Sequence, residues 1–173
     1  MQKLSIISLI GMTGVGKTTV GQILANRLNF DFLDLDLIIT EKTQKTPSEI
    51  FSLYGEETFR KIETEELENI FKNHDKNLIL SCGGGIVLSE KNRELLKKNS
   101  VVVWLLRPLG EIIKNEEILK RPPIHNDINN YTELFRQREK LYAETSANGL
   151  KIEYTDISEA VENITDFIKS DLH

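Results

Sequence analysis

The sequence predicts an α/β fold, a parallel sheet covered by helices on both sides, in a single domain. Two observations carry this. Short apolar runs alternate with amphipathic helical stretches through all 173 residues, the pattern of strands joined by helical crossovers. Gly11-Met12-Thr13-Gly14-Val15-Gly16-Lys17-Thr18 fits G-x-x-x-x-G-K-[ST], and it lies between an apolar run and a helical stretch, the context such a loop requires.

The elements follow in order. Leu4 to Ile10 is the first strand. A helix starting near Lys17 places Val20, Ile23, Leu24 and Leu28 at helical spacing. Asp31 to Leu35 is the second strand. Thr46-Pro47-Ser48-Glu49 is a capping box with proline at the first helical position. Leu78 to Cys82 is the third strand, and Ser89 caps a helix running to Lys98. Val101 to Leu106 is the fourth strand. The polar stretch Lys114 to Asn130 has weak periodicity and contains Arg121-Pro122-Pro123; it reads as a long surface segment, a lid or a structureless loop. Asn130-Tyr131-Thr132-Glu133 has the capping logic of a helix start. Leu150 to Tyr154 is the fifth strand, and Asp156-Ile157-Ser158-Glu159 caps a last helix with Val161, Ile164, Phe167 and Ile168 on one face.

Composition narrows the class. A net charge of −5 without a basic tract argues against nucleic acid as a partner. No apolar run approaches the ~20 residues that cross a bilayer, so no membrane partner is expected. The first strand begins almost at once, which leaves no room for a targeting segment and makes the expected location cytoplasmic. Cys82 is the one cysteine; it fits a reducing compartment and reads as buried packing rather than a nucleophile. Nothing forms a coiled-coil seam, so monomer is the expected state.

The phosphate loop has a physical logic. Gly11, Gly14 and Gly16 admit backbone angles closed to other residues, and the resulting nest of amides wraps phosphate. The helix N-terminus adds free N–H groups and its positive dipole end. Lys17 supplies an ammonium for the β- and γ-phosphates and Thr18 a hydroxyl for Mg2+.

Three further features point to an acceptor. Strand alternation places Asp34 and Asp36 on one side near the carboxyl end of the second strand, where ligands bind in open α/β sheets. They suit Mg2+ and a substrate hydroxyl, although Asp36 could merely cap the next helix. Gly83-Gly84-Gly85 follows the third strand and lets backbone approach a ligand. Arg60, Arg121, Arg136 and Arg138 together suggest an anionic substrate, since a guanidinium clamps carboxylate or phosphate with two parallel hydrogen bonds.

With these pieces in place, the chain resembles the shikimate kinases, of the nucleoside-monophosphate-kinase-like branch of P-loop folds. The resemblance rests on the loop Gly11 to Thr18, Asp34-x-Asp36, Gly55-Glu56-x-x-Phe59-Arg60-x-x-Glu63, Gly83-Gly84-Gly85, Arg121-Pro122 and Arg138-x-x-x-Tyr142. It implies a five-stranded parallel sheet with a lid at about 114–130, and transfer of the ATP γ-phosphate to the 3-hydroxyl of shikimate. It implies that Gly14, Val15, Gly16, Lys17, Thr18 and Thr19 hold the nucleotide and that Thr18 and Asp34 hold Mg2+. Asp36 would bind the shikimate hydroxyls and be the candidate base. Arg60 and Arg138 would grip the carboxylate, Gly83 and Gly84 would face the ring, and Arg121 would swing in with the lid. Arg136 is given no role. The departures fall on the nucleotide side: Arg121-Pro122-Pro123-Ile124 where Arg-Pro-Leu-Leu is common, Lys114 where an arginine stacks on adenine, and no proline between Thr155 and Ser158. Gluconate kinase, a nucleoside monophosphate kinase and a non-catalytic nucleotide-binding module are the competing readings.

Overall fold

The computed structural model describes residues 6–114 and 127–171. Five strands form one sheet: β1 (Ile6–Ile10), β2 (Asp31–Asp34), β3 (Leu78–Ser81), β4 (Val101–Leu106) and β5 (Leu150–Glu153). Their order is β2-β3-β1-β4-β5, and every pairing is parallel. The expected parallel α/β architecture is therefore present. The strands stop one residue short of expectation at Leu35, Cys82 and Tyr154, and Leu4 and Ser5 lie outside the described residues.

Seven α-helices are described: α1 (Lys17–Leu28), α2 (Leu35–Thr43), α3 (Pro47–Asn73), α4 (Glu90–Asn99), α5 (Leu109–Ile112), α6 (Ile128–Thr145) and α7 (Ile157–Asp171), with a short 3-10 turn at Ile86–Leu88. The buried core runs through the sheet, from Ile7, Leu9 and Ile10 to Leu78–Leu80 and Val102–Leu105. These near-continuous apolar runs are what a sheet covered on both faces requires. Of the residues expected on the inner face of α1, Val20 and Leu24 are buried, but Ile23 is 44% exposed. Gly21 takes the inner position instead: a Cβ there would lie 2.6 Å from the Phe32 ring and 3.2 Å from Leu9. The helix thus sits close against the sheet, where only a glycine fits.

The caps follow local chemistry. Thr46 and Glu49 form the complete capping box that starts α3. Ser89 accepts from the Asn92 N–H at 3.3 Å, and Asp156 from Ser158 and Glu159 at 2.7 and 3.2 Å. The expected start of α6 at Asn130 is corrected: Asp127 is the cap, accepting from the N–H groups of Asn129 and Asn130 at 2.9 and 3.3 Å. Residues 128–130, read from sequence as the end of a surface segment, are helical. Asp127 is the better cap because its carboxylate reaches two free amides while Asn130 continues the helix. Arg121 and most of the expected lid, with Pro122 and Pro123, lie outside the described residues.

Gly55 bends α3. Its φ of 82° and ψ of 168° are non-helical, and φ in that range is open essentially to glycine alone. The two arms, 47–54 and 56–73, therefore diverge, and the second carries Arg60 and Glu63.

Candidate active site

All five strands point their carboxyl ends to one edge of the sheet, so the segments after β1, β2 and β3 converge there. Two hollows open at that edge, of about 500 and about 530 Å³. Thr13, Asp36, Gly83 and Gly84 line both, so the hollows meet along a shared wall.

The second hollow contains the phosphate loop: Gly14, Gly16, Lys17, Thr18 and Thr19 line it with Asp34. Val15 is buried under the loop rather than lining it. Gly14 and Gly16 have φ of 88° and 93°, the left-handed backbone the nest requires. Lys17 is folded over the loop, its Nζ donating to the carbonyls of Gly11 and Met12 at 2.8 Å each. Thr18 Oγ1 donates to Asp34 Oδ2 at 2.7 Å, so the two residues expected at a metal stand side by side.

Asp34 and Asp36 reach the site differently from the strand alternation expected. β2 ends at Asp34, which caps α2; its Oδ1 accepts from the Asp36 and Leu37 N–H groups at 3.1 and 3.4 Å. Asp36 lies in the first helical turn, so helix geometry, not the strand's two-residue period, sets its direction. The expected capping alternative thus belongs to Asp34. Burial raises the Asp36 carboxyl above its ordinary value, neighbouring Asp34 raises it further, and Lys17 and Arg60 pull it back.

The first hollow has a cationic and aromatic wall. Arg60 and Arg138 both line it. The Arg60 guanidinium lies 5.6 and 5.1 Å from the ring centroids of Phe51 and Phe59. Its Nη1 donates to buried Glu63 at 2.8 Å, and Nη2 stands 3.4 Å from Glu56 on the open side. Burial pushes the Glu63 carboxyl up to about 7, against the opposing pull of Arg60. Arg136, by contrast, is 73% exposed and faces Glu133 at 3.9 Å.

The three glycines make room chiefly for protein side chains. A Cβ on Gly83 would lie 3.0 Å from Asp36 Oδ1, on Gly84 3.1 Å from the Thr13 N–H nitrogen, and on Gly85 2.1 Å from Arg60 Nη2. Cys82 is buried as expected, and burial raises its thiol far above the ordinary range.

Several contacts at this edge join residues far apart in the chain. Tyr131 donates to the Thr13 carbonyl at 3.2 Å, Tyr142 to the Gly84 carbonyl, and Tyr154 to the Val15 carbonyl. Three tyrosines from distant parts of the chain thus brace the phosphate loop and the glycine run. Burial pushes the Tyr142 phenol up to about 12, so it acts as a hydrogen-bond donor across the neutral range. Arg107 lines the second hollow, with Nη2 3.4 Å from the Thr155 carbonyl and the guanidinium 5.7 Å from the Tyr154 ring. Lys114, the position flagged in sequence, is 70% exposed and paired with Glu111 at 2.6 Å. The contacts of Tyr131, Tyr154 and Arg107 have no local sequence signature.

Comparison with known proteins places this geometry. The family model described as shikimate kinase matches residues 13–169. A shikimate kinase of Clostridium botulinum (strain Eklund 17B) is 38% identical over 162 residues, covering 94% of this chain and 96% of that protein. One from Dictyoglomus turgidum is 36% identical, covering 96% and 99%. Among solved structures, the shikimate kinase from Acinetobacter baumannii in complex with shikimate superposes with a TM-score of 0.86 at 33% identity, covering 98% of this chain and 96% of that one.

Proposed function

The chain belongs to the shikimate kinase family, an ATP-using phosphotransferase family with an alcohol acceptor, and we propose how its residues divide the transfer of the ATP γ-phosphate to the 3-hydroxyl of shikimate. The observation that carries the reading is the pair of hollows sharing Asp36: a donor side built on the phosphate loop and an acceptor side walled by Arg60 and Arg138.

The acceptor carboxylate docks against Arg60 and Arg138, which orients its ring hydroxyls toward Asp36 and the backbone of Gly83 and Gly84. Asp36 accepts a hydrogen bond from the attacking hydroxyl and takes its proton as the acceptor oxygen bonds to the γ-phosphorus, while the bond from that phosphorus to the bridging oxygen breaks and ADP leaves. Its raised carboxyl is a better proton acceptor than an ordinary aspartate. Lys17 and the loop amides of Gly14 to Thr19 hold the phosphates in line, which is most of what a loose phosphoryl-transfer transition state needs from a protein.

Thr18 and Asp34 are the residues that would hold Mg2+. Their adjacent oxygens suit a hard cation, which commonly takes one or two carboxylates and completes its shell with phosphate and water. Such an ion supplies charge neutralisation at the β- and γ-oxygens. Arg121, outside the described residues, is assigned to the lid at about 114–130 as the arginine that closes on the transferring group. The whole chain reads as one kinase domain. No described helix is long and apolar enough to cross a membrane; a cytoplasmic monomer is our reading of the rest.

The test is ADP release coupled to a reporter, with Mg-ATP and a panel of shikimate, gluconate and AMP. Shikimate-dependent turnover well above the other two is expected. Folded, ATP-binding protein without it would overturn the reading.

A further inference from the structure

Behind the acceptor hollow lies a buried polar cluster that none of the steps above employs. Asn92, in the first turn of α4, is fully buried. Its Nδ2 donates at 3.1 Å to Glu63 Oε2, the same oxygen that accepts from Arg60 Nη1 at 2.8 Å. Its Oδ1 accepts from Thr64 Oγ1 at 2.6 Å. A carboxylate only accepts, so the amide must face Glu63 with its nitrogen and Thr64 with its oxygen. Both ends of the Asn92 amide therefore engage the arm of α3 that carries Arg60.

Glu63 has few other supports. Its second oxygen, Oε1, is buried without a hydrogen-bond partner among the described residues. Beyond Arg60, the charge facing it is Asp36 from α2, which disfavours a carboxylate. Burial already pushes this carboxyl up to about 7, and losing the Asn92 donor would push it further toward the neutral acid. A neutral Glu63 cannot hold a guanidinium as an anion does, and Arg60 has a second carboxylate 3.4 Å away in Glu56, which is 58% exposed and lies on the open side.

We propose that Asn92 is a positioning residue for the acceptor: it fixes Glu63 in the orientation that aims Arg60 into the hollow. The inference rests on the reading that Arg60 binds the acceptor carboxylate. Asn92 touches no substrate and acts through Glu63 alone.

The experiment is steady-state kinetics of Asn92→Leu, of Glu63→Gln, of the double variant and of Arg60→Ala. Losing one buried donor predicts a rise of about 5- to 20-fold in the KM for shikimate, with kcat and the KM for ATP within about twofold. In the Glu63→Gln background the same substitution should add less than about twofold, because contacts made through a shared partner are not additive. Asn92→Asp keeps the volume while removing the amide donor; it should show the same split and serves if the leucine variant does not fold. An unchanged shikimate KM in both Asn92 variants, beside a raised one in Arg60→Ala, overturns this inference and spares the Arg60 reading. So does an equal effect on both substrates, or an undiminished effect in the Glu63→Gln background. An unmoved KM in Arg60→Ala overturns both.

Discussion

A single methyl group on Gly85 would separate a substrate-gripping Arg60 from a structural one. Gly85 has φ of −93° and ψ of 4°, angles that alanine adopts without strain. The cost of Gly85→Ala is therefore steric and local. Its Cβ would stand 2.1 Å from Arg60 Nη2, 2.8 Å from Cζ and 2.9 Å from Nη1. Favourable contact needs about 3.5 Å, so the guanidinium end must retreat by more than about 1 Å. It has little room to do so in register, being held by Glu63 at 2.8 Å and faced by the rings of Phe51 and Phe59. Losing one charge-assisted hydrogen bond to the acceptor carboxylate costs about 1.5–3 kcal/mol, or about 10- to 150-fold in affinity. The assay is coupled ADP release with shikimate varied at saturating ATP, alongside a thermal melt. The expected result is a KM for shikimate raised within that range, a KM for ATP nearly unchanged, and a midpoint lowered by less than about 4 °C. An unchanged shikimate KM, or equal rises for both substrates, would refute the assignment of Arg60.

Three other outcomes are expected. Asp36→Asn should lower kcat by about 10²- to 10⁴-fold with ATP binding retained by calorimetry; equal loss of both would mean that Asp36 serves the nucleotide. Glu63 makes stability depend on pH. Its folded carboxyl is raised from 4.5 to about 7, so the native state binds the proton more tightly than the unfolded chain, and stability falls as pH rises through that window. Urea unfolding between pH 5 and 8 should show wild type losing stability relative to Glu63→Gln; the opposite trend would mean that Arg60 outweighs burial. Cys82 should resist a thiol reagent in the native protein and react fully in denaturant, because burial disfavours the thiolate; fast native labelling would contradict this.

How much was readable in advance depended on the range of each interaction. Gly16-Lys17-Thr18 before a helical stretch, the Thr46–Glu49 capping box and the run Val101 to Leu106 each declare themselves within a few residues. The start of α6 was misread at Asn130 because Asp127 offers the same capping chemistry three residues earlier, and the local pattern alone does not rank them. Asp36 was placed near its partners by a strand argument although it lies in a helix; the outcome survived because β2 and α2 join directly at Asp34. Arg107 and Asn92 went unnoticed, since an arginine before a proline and an asparagine in a first turn look like ordinary surface residues.

The sequence alone determined the donor half of this protein and the type of its fold, because a glycine loop, a cap or an apolar period depends on neighbours within a turn or two. Tertiary structure alone decided what braces the phosphate loop and the glycine run and what holds Glu63. Tyr154 meets Val15 across 139 positions, Tyr142 meets Gly84 across 58, and Asn92 meets Glu63 across 29. The first two meetings follow from the parallel pairing that brings the carboxyl ends of β1, β3, β4 and β5 to one edge, with Leu9 opposite both Ser81 and Val103, and the third joins α4 to α3. Register is a property of packed strands, and no single segment carries it.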